Sequence, residues 1–316
     1  MIIERVDATP SPALASALAD FERSFEYPLG SGRSFRISHG DDYHAFFRAM
    51  GTAACFFALH DKVVVGSIAV VIRRLGLPDG GERSVAYVAD LKVAAGPRAG
   101  RTLFQISRAA LSWARMQTDA AFAVVMDGTR ATPAAYTGRV GIPAFGAVGA
   151  VMILRLAIDG APGSSTDGAY VGDAMTAEQR YHELCRGHYS SPGGQPAARS
   201  LMPATWLVAT DGMATGLLED TRRAKRLWAD PGKELVSAHL SRFAYRSVAA
   251  GAALVREALR RSAALRYPAL FVAVPAADAD RFTTALDGIE CVRAPATVYG
   301  HGLPSGPPWH VNTAEI

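Results

Sequence analysis

The spacing of apolar and polar positions changes period several times along the chain. Residues 11–25, SPALASALADFERSF, carry apolar side chains at helical spacing, and so do 41–50, DDYHAFFRAM, with Asp41 or Asp42 placed to cap the first turn. The runs ACFFALHD (54–61) and VVVGSIAVVIRRL (63–75) then read as strands joined by a short turn at Asp61-Lys62. The turn sequence PDGGE leads into a third strand, SVAYVADLKV (84–93). Leu103, Phe104, Ile106, Ala110, Leu111 and Ala114 return to helical spacing and predict a helix over 102–116. AFAVVM (121–126) predicts a short buried strand, TPAAYTGRVG (132–141) a brief helix ended by glycine, and AVGAVMILRLAI (147–158) a closing strand.

The same plan recurs. ATWLVATDGMATG (204–216) lies over ACFFALHDKVVVG (54–66) at an offset of 150, which sets Asp211 on Asp61 and Gly216 on Gly66. At an offset of 151, AAGAALV (249–255) lies over RAGRTLF (98–104), with Gly251 on Gly100, and FVAV (271–274) is the counterpart of FAVVM. Alanine matches mean little in so Ala-rich a chain, but the shared order of strands, turn and helix is hard to reach by chance. The reading is a tandem duplication: one domain over 1–157, a Gly/Ser-rich linker at 158–168, and a second domain over 169–316.

Composition narrows the class. Apolar residues make up 49% and charged residues 20%, the balance of a folded globular chain rather than a disordered one. The net charge of +4 is too mild for a nucleic-acid binder, which needs a concentrated basic stripe. Cys55, Cys185 and Cys291 are odd in number and far apart, so neither disulfides nor a zinc ribbon is expected, and no metal is. MIIERVDATPSP lacks the basic and apolar regions of a signal peptide, and no apolar run approaches membrane-spanning length, so the expected setting is the cytoplasm, away from any membrane.

The candidate chemistry centres on AAGPRAGRTLF (94–104), a Gly/Arg turn between strand and helix. Helix-terminal N–H groups and the dipole attract anions, Gly100 permits close approach, Thr102 can cap the helix, and Arg98 and Arg101 add charged donors. An ordinary capped helix with solvated arginines fits the stretch equally well. A P-loop does not: Gly96 and Gly100 are one residue too close, Arg101 stands in the lysine position, and hairpin-linked strands before the turn oppose a parallel βαβ sheet.

Two helices, an antiparallel three-strand meander, a Gly/Arg turn, a helix, a strand, a short helix and a last strand: this order resembles the Gcn5-related N-acetyltransferase (GNAT) superfamily over nearly the whole first half. The family turn is Arg/Gln-x-x-Gly-x-Gly/Ala. Gly100 fills the first glycine, Thr102 replaces the second small residue, and Pro97 occupies the Arg/Gln position. The resemblance implies an α/β fold with a mixed sheet, two GNAT-like domains in tandem, and acetyl-CoA as cosubstrate. The pyrophosphate would lie on Arg98, Ala99, Gly100, Arg101, Thr102 and Leu103, and the pantetheine along main chain at Leu91 and Val93. It further implies Tyr136 as the acid that protonates the leaving thiolate and Asp90 as base or water-relay anchor for a small-molecule primary amine. A merely packed Tyr136 ring and a solvent-facing Asp90 are the competing readings.

HLSRFAY (239–245) resembles the Glu-x-Ser-Arg-Phe strand of acyl-homoserine-lactone and N-acyl amino acid synthases, with Ser241, Arg242 and Phe243 matched and His239 in the glutamate position. It implies an alternative, long-chain N-acyl transfer from acyl carrier protein by the second half, which requires a tunnel beside Phe243 toward 270–274. A degenerate second half, or a non-catalytic binding protein of the same fold, are the other readings. His182, Cys185 and His188 share a helical face and are expected at the surface; EDTRRAKRL (219–227) is expected as a solvated, strand-like charged face; Trp309 either covers a pocket or packs.

Overall fold

The computed structural model describes residues 1–30, 33–129, 131–158, 168–229 and 232–316, excluding the side chains at 28–30 and 33. The segment read as a linker, 158–168, lies outside the described residues except at its two ends.

The first half runs β1 (Ile2–Val6), α1 (Pro12–Arg23), β2 (Tyr27–Gly30), β3 (Arg33–Ser38), α2 (Tyr43–Arg48), β4 (Thr52–His60), β5 (Val63–Gly76), β6 (Glu82–Val93), α3 (Ala99–Arg115), β7 (Ala121–Met126), α4 (Pro133–Tyr136) and β8 (Gly146–Ala157). The second runs β9 (Ala169–Val171), α5 (Ala174–Leu184), β10 (Tyr189–Ser190), α6 (Pro196–Arg199), β11 (Thr205–Ala209), β12 (Ala214–Glu219), β13 (Arg226–Ala229), β14 (Lys233–Glu234), β15 (Ala238–Tyr245), α7 (Val248–Ala264), β16 (Ala269–Pro275), α8 (Ala279–Ala285), β17 (Cys291–His301) and β18 (Trp309–His310). No described helix is long and apolar enough to cross a membrane.

Local chemistry accounts for most boundaries. Ser11 and Asp42 cap α1 and α2 with side-chain oxygens on Leu14 N and Ala45 N. Asp61 and Lys62 take φ of 51° and 67°, the left-handed pair that turns a tight hairpin, and Asp211-Gly212 turns the matching one. The helices α3 and α7 each span 17 residues.

One mixed sheet runs through the molecule in the order β1-β4-β5-β6-β7-β17-β8-β16-β15-β12-β11-β9. Each half supplies a meander, a helix and a parallel strand, β4-β5-β6-β7 in one and β11-β12-β15-β16 in the other. The last strand of each half then crosses over: β8 pairs with β16, and β17 pairs with β7. The two crossing strands pair with each other from Cys291–Leu156 to Gly300–Gly146. A second, four-stranded sheet, β14-β13-β3-β2, is also shared, through β13 on β3.

Three sequence expectations change here. The helix read as 102–116 starts at Ala99, so Thr102 lies inside its first turn and is not its cap; its hydroxyl is buried and donates to Met1 Sδ at 3.4 Å. The stretch 219–227 is not a solvated face: Glu219, Asp220, Ala224 and Lys225 are buried. Their charges are met inside, with Arg199 bonding Glu219 at 2.7 and 2.8 Å, and Glu315 joining Arg199 (3.1 Å) to Arg73 (2.8 Å). In the helical face of His182, Cys185 and His188, His182 is exposed but Cys185 is buried against Tyr181 and Leu184. Trp309 packs: it is fully buried and stacks on Tyr189 at 4.5 Å.

Candidate active site

The site grows from a break in strand pairing. β6 and β7 pair in parallel at Ala86–Ala121 and Tyr87–Phe122 and part beyond that point, leaving the β7-facing edge of Val88–Val93 without a ladder partner among the described strands. Main-chain groups on such an edge must find other partners. A cavity of about 960 Å³ opens at the gap. Consecutive residues of β6 (Ala86–Leu91) and β7 (Ala123–Met126) line it, and since alternate residues face opposite sides, the cavity passes through the sheet. One side lies under α3 and α4; the other is walled by Tyr27, Phe35, Ile37, Leu227 and Leu235 of the shared small sheet and its approaches.

Asp90 sits at the gap on a β-bulge. Asp90 and Leu91 together oppose Ile68, and Asp90 takes a φ of 51°, a conformation an L-residue holds only where the surroundings impose it. Ser67 Oγ donates to its carbonyl at 3.0 Å. Its carboxylate is not solvated: Tyr43 Oη donates to it, and the Lys92 ammonium lies 2.7 Å away. Lys92 also reaches Glu22 at 3.6 Å, and Glu22 accepts from His39 N at 3.1 Å and faces His39 Nδ1 at 2.5 Å. Burial pushes the Asp90 carboxyl up, but Lys92 and His39 outweigh it and hold the group below its ordinary range. Burial opposes the Lys92 charge too, and Asp90, Tyr27 and Glu22 keep it above its ordinary value. Glu22, His39 and Asp90 bring ligand-type atoms within 4.8 Å of one another, and the Lys92 ammonium is the cation among them.

Of the other sequence-derived residues, Leu91 and Tyr136 line the cavity with Asp90. Burial raises the Tyr136 hydroxyl to about 12, so it stays protonated and able to donate at neutral pH. Val93, Arg98, Ala99, Gly100, Arg101, Thr102 and Leu103 lie outside the lining, at the end of β6 and the start of α3. There Arg98 takes the N-cap position with no side-chain cap bond, its guanidinium beside His60 Nε2 at 2.5 Å, and a Cβ built on Gly100 meets nothing within 4 Å.

The second half repeats this geometry and closes it. β15 and β16 part beyond Leu240–Val272, and Arg242 is the matching bulge residue at φ 44°, opposite Gly216. Arg242 N is taken by Asn312 Oδ1 at 2.7 Å, and Phe243, the counterpart of Leu91, packs against Phe282 and Tyr245. Ser247 caps α7 by accepting from Ala250 N, and a Cβ on Gly251 would sit 2.7 Å from Phe282 Cζ. The large cavity is not lined by Phe243.

Two further groups face the cavity from the second half. Lys225 is buried, donates to Ile316 O, and lies 4.4 Å over the Phe46 ring; burial, then Arg199, bring it down to about 7. His239, 3.0 Å from Thr313 Oγ1, is pushed down to about 3 by burial and then by Lys225. Sequence reading missed Glu22, His39, Tyr43, Lys92 and Lys225. A lysine within the apolar strand run VADLKV was the available signal.

No family model matches the sequence, and no curated protein does. Among solved structures, Saccharomyces cerevisiae N-myristoyltransferase with bound myristoyl-CoA matches with a TM-score of 0.61 at 12% identity, covering 99% of this chain and 87% of that one. A GCN5-related N-acetyltransferase from Anabaena variabilis matches with a TM-score of 0.52 at 10% identity, over 95% of this chain and 72% of that one. At such identities the likeness is one of fold alone, a mixed α/β architecture built on a large mixed sheet.

Proposed function

We propose that the chain is an acyl-CoA-dependent N-acyltransferase whose cosubstrate binds in the first half, with acetyl as the transferred group and the primary amine of a small molecule as acceptor. The observation that carries this is the parting of β6 and β7 over an open cavity, set against the same parting filled by Phe243 and Phe282 in the second half. The uncapped start of α3 would take the pyrophosphate on the main-chain N–H groups of Gly100 and Arg101, those of Ala99 and Thr102 being taken by Gly96 O and Arg98 O, with the Arg98 and Arg101 side chains at its flanks. The pantetheine would lie along the free edge at Leu91 and Val93. On this reading 1–157 and 169–316 descend from one domain, and the second is the degenerate copy.

The acceptor nitrogen attacks the thioester carbon from the side of the small sheet, the C–S bond breaks, and Tyr136 gives its proton to the leaving sulfur. Asp90, ionised, already accepting from Tyr43 and ion-paired with Lys92, is a weak base, which favours its role as anchor of a water relay that removes the amine proton. A longer acyl group is the second reading, favoured by a cavity of about 960 Å³, far more than acetyl fills. Transfer from acyl carrier protein by the second half has little support, since Phe243 is close-packed.

Calorimetric titration with acetyl-, octanoyl- and myristoyl-CoA tests the reading and ranks the chain lengths. Arg98→Ala with Arg101→Ala is expected to weaken binding at least tenfold, each charged hydrogen bond contributing about 1.5–3 kcal/mol. No heat with any acyl-CoA, or full affinity in the double variant, would remove the first-half site.

A further inference from the structure

We infer that the acceptor carries a carboxylate and that Arg155 receives it. The inference rests on the transferase reading above and adds the substrate class.

Strand register sets the geometry. His239 pairs with Phe271, Phe271 with Arg155, and Arg155 with Val292, so these four residues form a row across β15, β16, β8 and β17 on one face of the sheet. All four line the cavity, beneath the apolar wall of Ile37, Leu227 and Leu235. The reacting end is the gap between β6 and β7, where Asp90 and Tyr136 line the cavity. Arg155, on β8, lies two strands from β7 in the sheet, with Phe271 and His239 beyond it.

Arg155 is half-buried, and its guanidinium has no hydrogen-bond or ion-pair partner among the described residues. Five donors in a planar fork, set in an apolar groove, match a carboxylate that comes from outside. The acids that line the cavity are engaged elsewhere. Asp90 is held by Lys92 and Tyr43, and Asp119 by Arg83 at 2.6 Å. Asp127 accepts from Thr297, whose register with Val125 sets it on the opposite face from the row. Arg293, beside the row, is paired with Asp280 at 2.8 Å. The groove therefore favours an acceptor with a negative tail and disfavours a polyamine. The Phe271 ring, stacked on His239, adds an apolar floor beside Arg155.

Three acceptors of one length test this: ω-aminooctanoate, its carboxamide, and diaminooctane. Thiol release is measured with whichever acyl-CoA binds, and binding of each acceptor is measured separately by calorimetry with CoA present. The carboxylate should bind with a Kd, and be used with a KM, at least tenfold below the other two. Arg155→Met should collapse that ratio toward one, and Arg155→Lys should restore part of it. Thermal melts check that the variants fold. Equal use and equal binding of carboxylate and carboxamide, or a ratio that survives Arg155→Met, overturns the inference. If acyl-CoA fails to bind while the Arg155-dependent preference persists in calorimetry, the transferase reading fails and the carboxylate site stands.

Discussion

Asp90, Lys92, Glu22 and His39 form a buried polar cluster in which Lys92 lies between two carboxylates and each member is held by its neighbours. Removing the cation should be costly, because two carboxylates would then face each other out of water. Lys92→Met is expected to lower stability by about 3–5 kcal/mol in urea unfolding, well beyond a surface lysine. Acid should weaken Asp90's contribution, since its carboxyl is held below its ordinary range, and should act on two further groups. His239 titrates at about 3 in the folded protein against an ordinary 6.5, so below pH 6.5 the unfolded chain gains a proton that the folded one refuses. Glu315 is raised by burial but drawn down further by Arg73 and Arg199, to about 2, so its contribution is lost as pH falls from 4.5 toward 2. Stability should thus decline from pH 6.5 downward, and His239→Phe should flatten the upper part of that decline. The two matched glycines make the third residue-scale test. Gly251→Ala should destabilise by about 1–3 kcal/mol, since its Cβ meets Phe282 and Phe243, whereas Gly100→Val enters open space and should spare the fold while weakening acyl-CoA binding. None of this charge chemistry could be read in advance. Lys225 is written like a surface residue, and Lys92 has Asp90 two positions away but Glu22 and His39 more than fifty away, a closure only the fold supplies.

Elements were far more legible. Periodicity, Asp42, and the turns at Asp61-Lys62 and PDGGE located the helices and the meander of the first half, and the offset repeat located their copies. The start of α3 was misread because Ala99, Gly100 and Arg101 give no apolar period, and Thr102 has the chemistry of a cap without the position. Partner choice is the other gap: an apolar strand such as β8 declares that it is buried, not which strand lies beside it. Tight packing at the crossing makes this testable. A Cβ on Gly149 of β8 would collide with Cδ1 of Trp309 and sit 2.7 Å from its Nε1. Gly149→Ala should therefore cost about 1–3 kcal/mol, and adding Trp309→Phe should recover part of it, a coupling measurable by a double-variant cycle.

At the scale of the molecule, the boundaries read from the repeat do not mark independent bodies. Each half lends its last strand to the other's side of the sheet, the small sheet is built from both, and the Arg73–Glu315–Arg199–Glu219 network joins β5 to α6 and β12. Residues 1–158 and 168–316 expressed as separate chains should each lack fixed tertiary structure, and mixing them should restore the near-ultraviolet dichroism of the intact protein.

The crossing of β8 and β17 also bears on how the chain folds. β7 cannot gain its second neighbour until residues 291–301 are available, some 170 positions later in the chain. During synthesis the whole first half must therefore wait with an open sheet edge at β7, while β8 has no neighbour on either side until the second half arrives. Such late, long-range closure is slow and leaves apolar strands uncovered, so the nascent chain is a natural client for a holding chaperone, and refolding should show a dominant slow phase that tracks closure by β17.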